Sequence, residues 1–428
     1  MNIYRPGLPS CIFPIALACP AFNNFIIRYR RDCHDQKSLE CALNLQIEMS
    51  KNFTSEREKE KKLHVIFESY LGLPAGSFVT QIKSDNIETD GTVFQDVNGQ
   101  RRILLNLEVK NEIGSQGDPC AQNLAYYIKI LQNFSESLGD WQKELGVRPA
   151  FLVQVAGANL QIACACANSY GVHFDVLTPY LNLEFVPHDI EKQYMIGRAL
   201  YALKTCLEDL RVYNISKEKP NPDFPFVISF ESGEATFTLH YEKELKQSSR
   251  TIFKCITKPD DLPVVVKFSP FGYGVKAHEI LACEGMAPNL LFSKDLQNGF
   301  TMVVMEYIDG ECLNKLSRKQ KKMLRQAVSL LHSHGFVHGD LRPQNVLWKG
   351  FKPYILDFDF ARLEKDKPLY PASLNPEVTW AKGVEAMGLI EKVHDNETVE
   401  SHFDVRGIEE DSDEEMEVEM QVGKRKIC

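Results

Sequence analysis

Three side chains in the second half of the chain have the types and spacing needed to move a phosphoryl group. In His338-Gly339-Asp340-Leu341-Arg342-Pro343-Gln344-Asn345, an Asn stands five positions after an Asp, and Asp357-Phe358-Asp359 begins twelve residues beyond Asn345. A carboxylate such as Asp340 can receive the proton of an attacking hydroxyl. Asn345 and Asp357 can hold the Mg²⁺ ions that bridge the phosphates of ATP.

A second constellation lies in the first half: Asp90, Glu108 and Lys110, followed by Gln122 and Tyr126. Two neighbouring carboxylates can bind Mg²⁺ while it keeps several waters, and a nearby lysine can orient or deprotonate an attacking water. Gln122 and Tyr126 are four apart, so they share one face of a helix and could contact that site.

Both constellations need elements to position them. Leu39 to Leu71 has a helical pattern, ending at Gly72 with Pro74 just beyond. Asp85 to Lys110 reads as a β-hairpin turning at Asn98-Gly99, since Asn-Gly readily takes positive φ. Glu108 and Lys110 are two apart and point to one face. A tight Asn98-Gly99 turn sets Asp90 opposite Leu107, whereas a three-residue turn with a bulge sets it across from Glu108 and on the same face. A helix over about 121–138, strands over 151–156, 160–167 and 172–177, and a helix over 190–212 complete a mixed α/β unit. Lys217 to Pro225, with three prolines, is the linker candidate. Beyond it, strands over 237–241, 251–257 and 263–268, a helix near 275–284, a strand over 300–307 and a helix over 317–334 lead to the Asp340 loop.

The 428 residues suffice for two or three domains, and 44% apolar with 25% charged residues is ordinary for a soluble protein. Eight of the carboxylates behind the net charge of −9 fall between Glu409 and Met420, so the rest of the chain is near neutral. That excludes a strongly basic nucleic-acid surface overall. The twelve cysteines form no Cys-x-x-Cys pair and no zinc spacing, which fits buried thiols in a reducing compartment. No apolar run reaches the ~20 residues needed to span a bilayer. Residues 11–19 are a short apolar run behind Arg5 that loosely mimics a signal peptide, interrupted by Pro14.

From about residue 226 to 395 the chain resembles a protein-kinase domain. Val264-Val265-Val266-Lys267-Phe268 resembles the third-strand lysine motif, which places Lys267 on the α- and β-phosphates, and Glu279 is then the candidate partner of Lys267. Val303-Val304-Met305-Glu306-Tyr307-Ile308 resembles the hinge, whose backbone at Glu306 and Ile308 would pair with adenine, with Met305 as gatekeeper. The resemblance makes Asp340 the catalytic base, Asn345 and Asp357 metal ligands, and His338 a structural member of the loop. Three departures stand out: no Gly-x-Gly-x-x-Gly loop, Asp359 where a glycine is usual, and no Ala-Pro-Glu before the end of a short lower lobe. The His-Gly-Asp and Asp-Phe-Asp forms are similar to compact fungal-type kinases. The first half resembles the PD-(D/E)XK nuclease superfamily, particularly members with a Gln-x-x-x-Tyr helix. There Asp90 and Glu108 would hold metal, Lys110 would act catalytically, and Glu56, Glu58 or Glu68 would add a carboxylate. The fusion resembles Crinkler-type fungal and oomycete proteins.

These readings imply an α+β chain of two domains. Residues 1–38 are expected as a poorly ordered leader, 39–215 as a restriction-endonuclease-like mixed-sheet domain, and 216–225 as a linker. A bilobal kinase-like domain with a truncated lower lobe spans 226–395, and an acidic disordered tail spans 396–428. The implied function is Mg-ATP-dependent phosphorylation of protein Ser/Thr hydroxyls. The alternatives are a Mg²⁺-dependent DNase or a nucleotide-binding pseudokinase serving as an interaction module. Expected cofactors are ATP and Mg²⁺; expected partners are a protein substrate and DNA, with no membrane, in the cytoplasm or nucleus unless the 11–19 run directs secretion. Ser412 among acidic residues suits acid-directed phosphorylation, and Lys424-Arg425-Lys426 suits nuclear import.

Overall fold

Asn98 and Gly99 both take positive φ, 51° and 80°, and turn the hairpin whose strands are β3 (Ile87–Val97) and β4 (Gln100–Lys110). The computed structural model describes residues 3–4, 14–82, 87–112, 117–133, 147–168, 171–216, 221–245 and 251–405, which fall into two units dividing at Ile228. In the first unit the hairpin sits in a sheet ordered β1-β7-β6-β5-β4-β3-β2, where β1 is Ile3–Tyr4 and β2 is Val79–Ile82. The other members are β5 (Ala150–Ala156), β6 (Asn159–Asn168) and β7 (Gly171–Val176), with β8 (Leu181–Asn182) paired to β6.

Helices cover both faces. The strands β4 and β5 are parallel, as a crossover through a helix requires, and the crossover contains Pro119–Asn133. Leu124, Tyr127, Ile128 and Leu131 of that helix pack on Leu152, Ala163 and Ala165. Asn123 pins it further: it accepts from Asn106 Nδ2 at 2.8 Å and donates to the Val153 carbonyl at 3.0 Å. On the opposite face Phe151 meets Phe22 and Phe25 at 5.3 and 5.8 Å between ring centroids. These rings belong to α1 (Pro20–Arg30), which packs along Ile190–Ile215.

This corrects the expected leader. Ile15, Ala16, Leu17, Phe22 and Phe25 are buried, so the apolar run starting at residue 14 is core of the first unit; residues 5–13 lie outside the described part. The pattern from Leu39 to Leu71 is also two helices, α2 (Gln36–Met49) and α3 (Glu56–Leu71), each opened by a side-chain cap, Asp35 and Ser55. Gly72 ends α3 with φ 68°.

The second unit begins with a sheet ordered β13-β14-β12-β11-β10-β9, made of Ser229–Ser232, Ala235–Glu244, Ile252–Lys258, Pro263–Ser269, Leu290–Asp295 and Thr301–Glu306 in chain order from β9 to β14. Where a Gly-x-Gly-x-x-Gly loop would stand, Gly233 lies in the β9–β10 turn, and 246–249 lies outside the described residues. Helix Val275–Cys283 follows β12. Helix Arg318–Ser333 opens with a capping box in which Ser317 accepts from the Gln320 amide at 3.2 Å and donates its own amide to Gln320 Oε1 at 2.9 Å. Its apolar face, Leu324, Ala327, Val328 and Leu331, packs with Val346, Trp348, Ile355 and Phe358.

The expected disordered tail starts too early. Lys392–Ser401 is a helix, Asp404–Val405 pairs with Lys315–Leu316, and Val399 and Phe403 are buried in the same core. Acidic composition hid an element whose Asp395, Val399 and Phe403 recur every four residues. Among the described residues, no helix is long and apolar enough to cross a membrane.

Candidate active site

The β12 strand carries Lys267 toward the Asp-Phe-Asp segment, and the two meet. Lys267 Nζ lies 2.6 Å from Asp357 Oδ1 and 2.6 Å from Asp359 Oδ1. Burial alone would lower the Lys267 ammonium, but the charges of Asp357 and Asp359 hold it above its ordinary value. Burial raises the Asp359 carboxyl against the opposing pull of Lys267. Asp357 has φ 63°, a left-handed conformation that costs a non-glycine residue energy and persists only where packing over-determines it.

The packing that does so is aromatic. Phe358 is fully buried, stacked on His278 at 4.6 Å and 7°, and set edge-on to His338 at 5.2 Å. His338 Nε2 contacts the Leu356 carbonyl at 3.0 Å, and burial pushes its imidazole below the usual value. These contacts fix the Asp340 loop relative to Asp357.

Asn345 Nδ2 donates to the Asp340 carbonyl at 2.8 Å and to Asp340 Oδ2 at 2.9 Å. That leaves the Asn345 amide oxygen for a cation, and Asn345 and Asp357 together offer the hard oxygen donors that Mg²⁺ takes. Arg342 also reaches Asp340, with Nη2 3.1 Å from Oδ2. Next to Asp340 is a cleft lined by Arg342, Tyr370, Thr379, Trp380 and His402.

One residue that the sequence reading missed holds this loop. Asp395, 1% exposed, accepts from the His338 amide at 2.8 Å and the Gly339 amide at 2.9 Å, and pairs with His332 Nε2 at 2.9 Å. Burial would raise its carboxyl, but His332, His338 and the two amides hold it below the ordinary value. Gly339 has φ 79°, and a Cβ there would meet Ile390 Cγ2 at 2.8 Å, so only glycine fits beside Asp340.

Glu279 is a correction: it is exposed, and Lys267 takes its carboxylates from Asp357 and Asp359. At the hinge Met305 and Ile308 are buried, and the Glu306 amide donates to the Asn289 carbonyl at 2.9 Å, which leaves the Glu306 carbonyl for a base.

In the first unit Val97 faces Gln100 across the tight turn, and a bulge at Val93/Phe94 shifts the register by one, so that Thr92 faces Asn106. The pairing ends there, and the Asp90 side chain reaches the end of β4. Asp90 Oδ2 accepts from the Val109 amide at 2.8 Å, and Lys110 Nζ lies 3.0 Å from Glu108 Oε1. Burial, with the Asp90 charge, pushes the Glu108 carboxyl up to about 7. Neither Glu108 oxygen receives a well-aligned hydrogen bond, although Lys110 is within ion-pair distance. Of the three candidate glutamates, Glu56 faces the group: its charge acts on Asp90, Glu108 and Lys110, and its Oε1 accepts from the Asn111 amide at 3.2 Å. Glu58 instead caps Thr54, and Glu68 accepts from Gly76. Glu60, which the sequence did not single out, is raised to about 6 by burial and Asp90. Gln122 Nε2 and Tyr126 Oη are 3.5 Å apart. Among the described residues, no three His, Cys, Asp or Glu side chains already stand at metal-holding geometry.

Part of the second unit is similar to RIO-type kinase-like domains. A family model described as "RIO1: RIO domain" matches residues 296–369, which include Asp340, Asn345 and Asp357. Over 82 residues the chain is 35% identical to the KEOPS complex subunit Bud32 of Pyrococcus abyssi, covering 17% of this chain and 36% of that protein. Over 195 residues it is 28% identical to the human ribosomal protein S6 kinase alpha-2, covering 39% and 27%. A probable serine/threonine-protein kinase of Dictyostelium discoideum is 28% identical over 116 residues, covering 24% and 23%. The chain thus spans about a third or less of the length of these curated relatives. The solved kinase PK-1 of the Cydia pomonella granulovirus aligns over 32% of this chain and 58% of its own, at 20% identity and TM-score 0.27.

Proposed function

We propose that this protein transfers the γ-phosphate of Mg-ATP to a Ser or Thr hydroxyl of a protein. The observation that carries the reading is the convergence of Lys267, Asp340, Asn345 and Asp357 around one buried aromatic support, Phe358. Asp340, hydrogen-bonded by Asn345 and Arg342, is the base that orients the acceptor hydroxyl and takes its proton. Lys267 neutralises phosphate oxygens, while Asn345 and Asp357 hold the metal, whose contribution is to offset the charge that develops on the transferred group. The relatives named as kinases support a protein acceptor. The test is labelled ATP with and without an acceptor protein, comparing wild type with Asp340→Ala. Labelling should fall by about 10³-fold or more; equal labelling by the two proteins sinks the proposal.

A second reading concerns the first unit. The buried Glu108 oxygens, with Asp90, Glu56 and Lys110 around them, suit a Mg²⁺-dependent cleavage of DNA on a PD-(D/E)XK-like domain spanning 39–215 and extended by the helix at 20–30. The kinship with Crinkler-type proteins belongs to the same reading. Mg²⁺-dependent nicking that survives both Glu108→Ala and Lys110→Ala would come from elsewhere.

A further inference from the structure

We propose that Asp359, standing where a glycine was expected, is the positioning residue for the Lys267 ammonium, in place of Glu279; its catalytic consequence rests on the phosphotransferase reading above. The two Lys267 contacts are equal in length: 2.6 Å to Asp357, a hydrogen bond, and 2.6 Å to Asp359, an ion pair without hydrogen-bond alignment; the Lys267 side chain is only 7% exposed. No carboxylate arrives from the helix at Val275–Cys283. Its N-cap, Gly274, donates its amide to the Phe358 carbonyl at 2.9 Å, and a Cβ there would meet the Ala361 carbonyl at 2.6 Å. The backbone is too close for any longer side chain. One turn later the helix presents His278 to Phe358, and Glu279 beside it is exposed. The second counter-charge therefore comes from the same loop as the first.

The arrangement has a consequence for chemistry. Asp357 has two tasks, holding Lys267 and holding metal. An ammonium with Asp357 as its only partner would follow that carboxylate to the cation. Asp359 keeps Lys267 in place when Asp357 is engaged, and Tyr273, with its ring centroid 5.8 Å from Nζ, closes the remaining side.

The test is a double-mutant cycle on thermal unfolding of the full chain, which needs no activity. Asp359→Asn should lower the midpoint in the wild-type background and not in Lys267→Met, whereas Glu279→Gln should show no coupling to Lys267→Met. Additive Asp359 and Lys267 effects, or coupling at Glu279, overturn the proposal. If Asp359→Asn does not fold, Asp359→Ser, which also removes the charge, serves the same cycle. In the kinetic arm, Asp359→Asn should lower kcat/KM for ATP by about tenfold or more. Asp359→Glu should recover part of that loss, and Glu279→Gln should match wild type. A wild-type protein that consumes no ATP overturns the phosphotransferase reading alone, and the cycle still decides the pairing.

Discussion

Replacing Asp395 by Asn keeps the shape of the side chain and removes its charge at the point where the Asp340 loop is tied down. Asp395 receives two backbone amides and one imidazole, at 2.8, 2.9 and 2.9 Å, in a site that is 1% exposed. Hydrogen bonds to a charged acceptor contribute about 1.5–3 kcal/mol each, and leaving a buried donor unpaired costs about 1–3 kcal/mol. An Asn oxygen still accepts, without charge, while its NH₂ must face one of the three donors. The expected loss is about 3 kcal/mol, a fall of roughly 6–12 °C in the midpoint of a domain of this size. The sign with pH follows from the depressed carboxyl: its stabilisation is present at neutral pH and lost as pH falls through the carboxylate range. Wild type and variant should therefore converge in acid. Calorimetry from pH 3 to 8, with phosphotransfer measured at the same points, checks both. Because Asp395 fixes His338 and Gly339, kcat should fall more than the population of folded protein does. A midpoint change under about 2 °C with unchanged kcat would refute this account of the loop.

Other expectations follow from the same geometry. Glu108→Gln should flatten the pH dependence of stability between about pH 4.5 and 7, because a carboxyl raised to about 7 favours the folded state at low pH and loses that advantage as pH rises through its own value. The full shift corresponds to about 3 kcal/mol, shared with Asp90 and Lys110, and unfolding midpoints of the two proteins against pH measure it. Phe403→Ala should destabilise the second unit by about 3–5 kcal/mol, read by denaturant titration, since the ring is fully buried. A chain ending at residue 395 should fail to fold that unit, since it removes both Val399 and Phe403; a native-like unfolding transition in the truncated protein would contradict the packing.

How legible the site was depends on the reach of each contact. Asp340 and Asn345 are joined within one short loop, so their five-residue spacing already contained the hydrogen bond between them. The Asn98-Gly99 turn was equally local, but the strand register toward Asp90 was not, because a bulge at Val93/Phe94 shifted it. The apolar run before α1 looked like a leader because a short hydrophobic stretch reads alike whether it is exposed or, as here, buried in its unit with the Leu17 carbonyl accepting from the Phe226 amide.

The sequence by itself determined the chemistry on offer: which residues could act on a phosphate, in what order, and on which strands and loops. Backbone geometry fixes such short-range relations wherever the chain folds. Only the tertiary structure decided which charges face each other. Lys267 and Asp359 are far apart in sequence, as are Gly339 and Asp395, and their pairing depends on how closely a helix end can approach a loop. Glu279 had the right spacing and the wrong side of its helix; Asp395 had an uninformative acidic setting and a buried position. Spacing along a chain specifies neighbours within a turn or two, and packing selects among all the others.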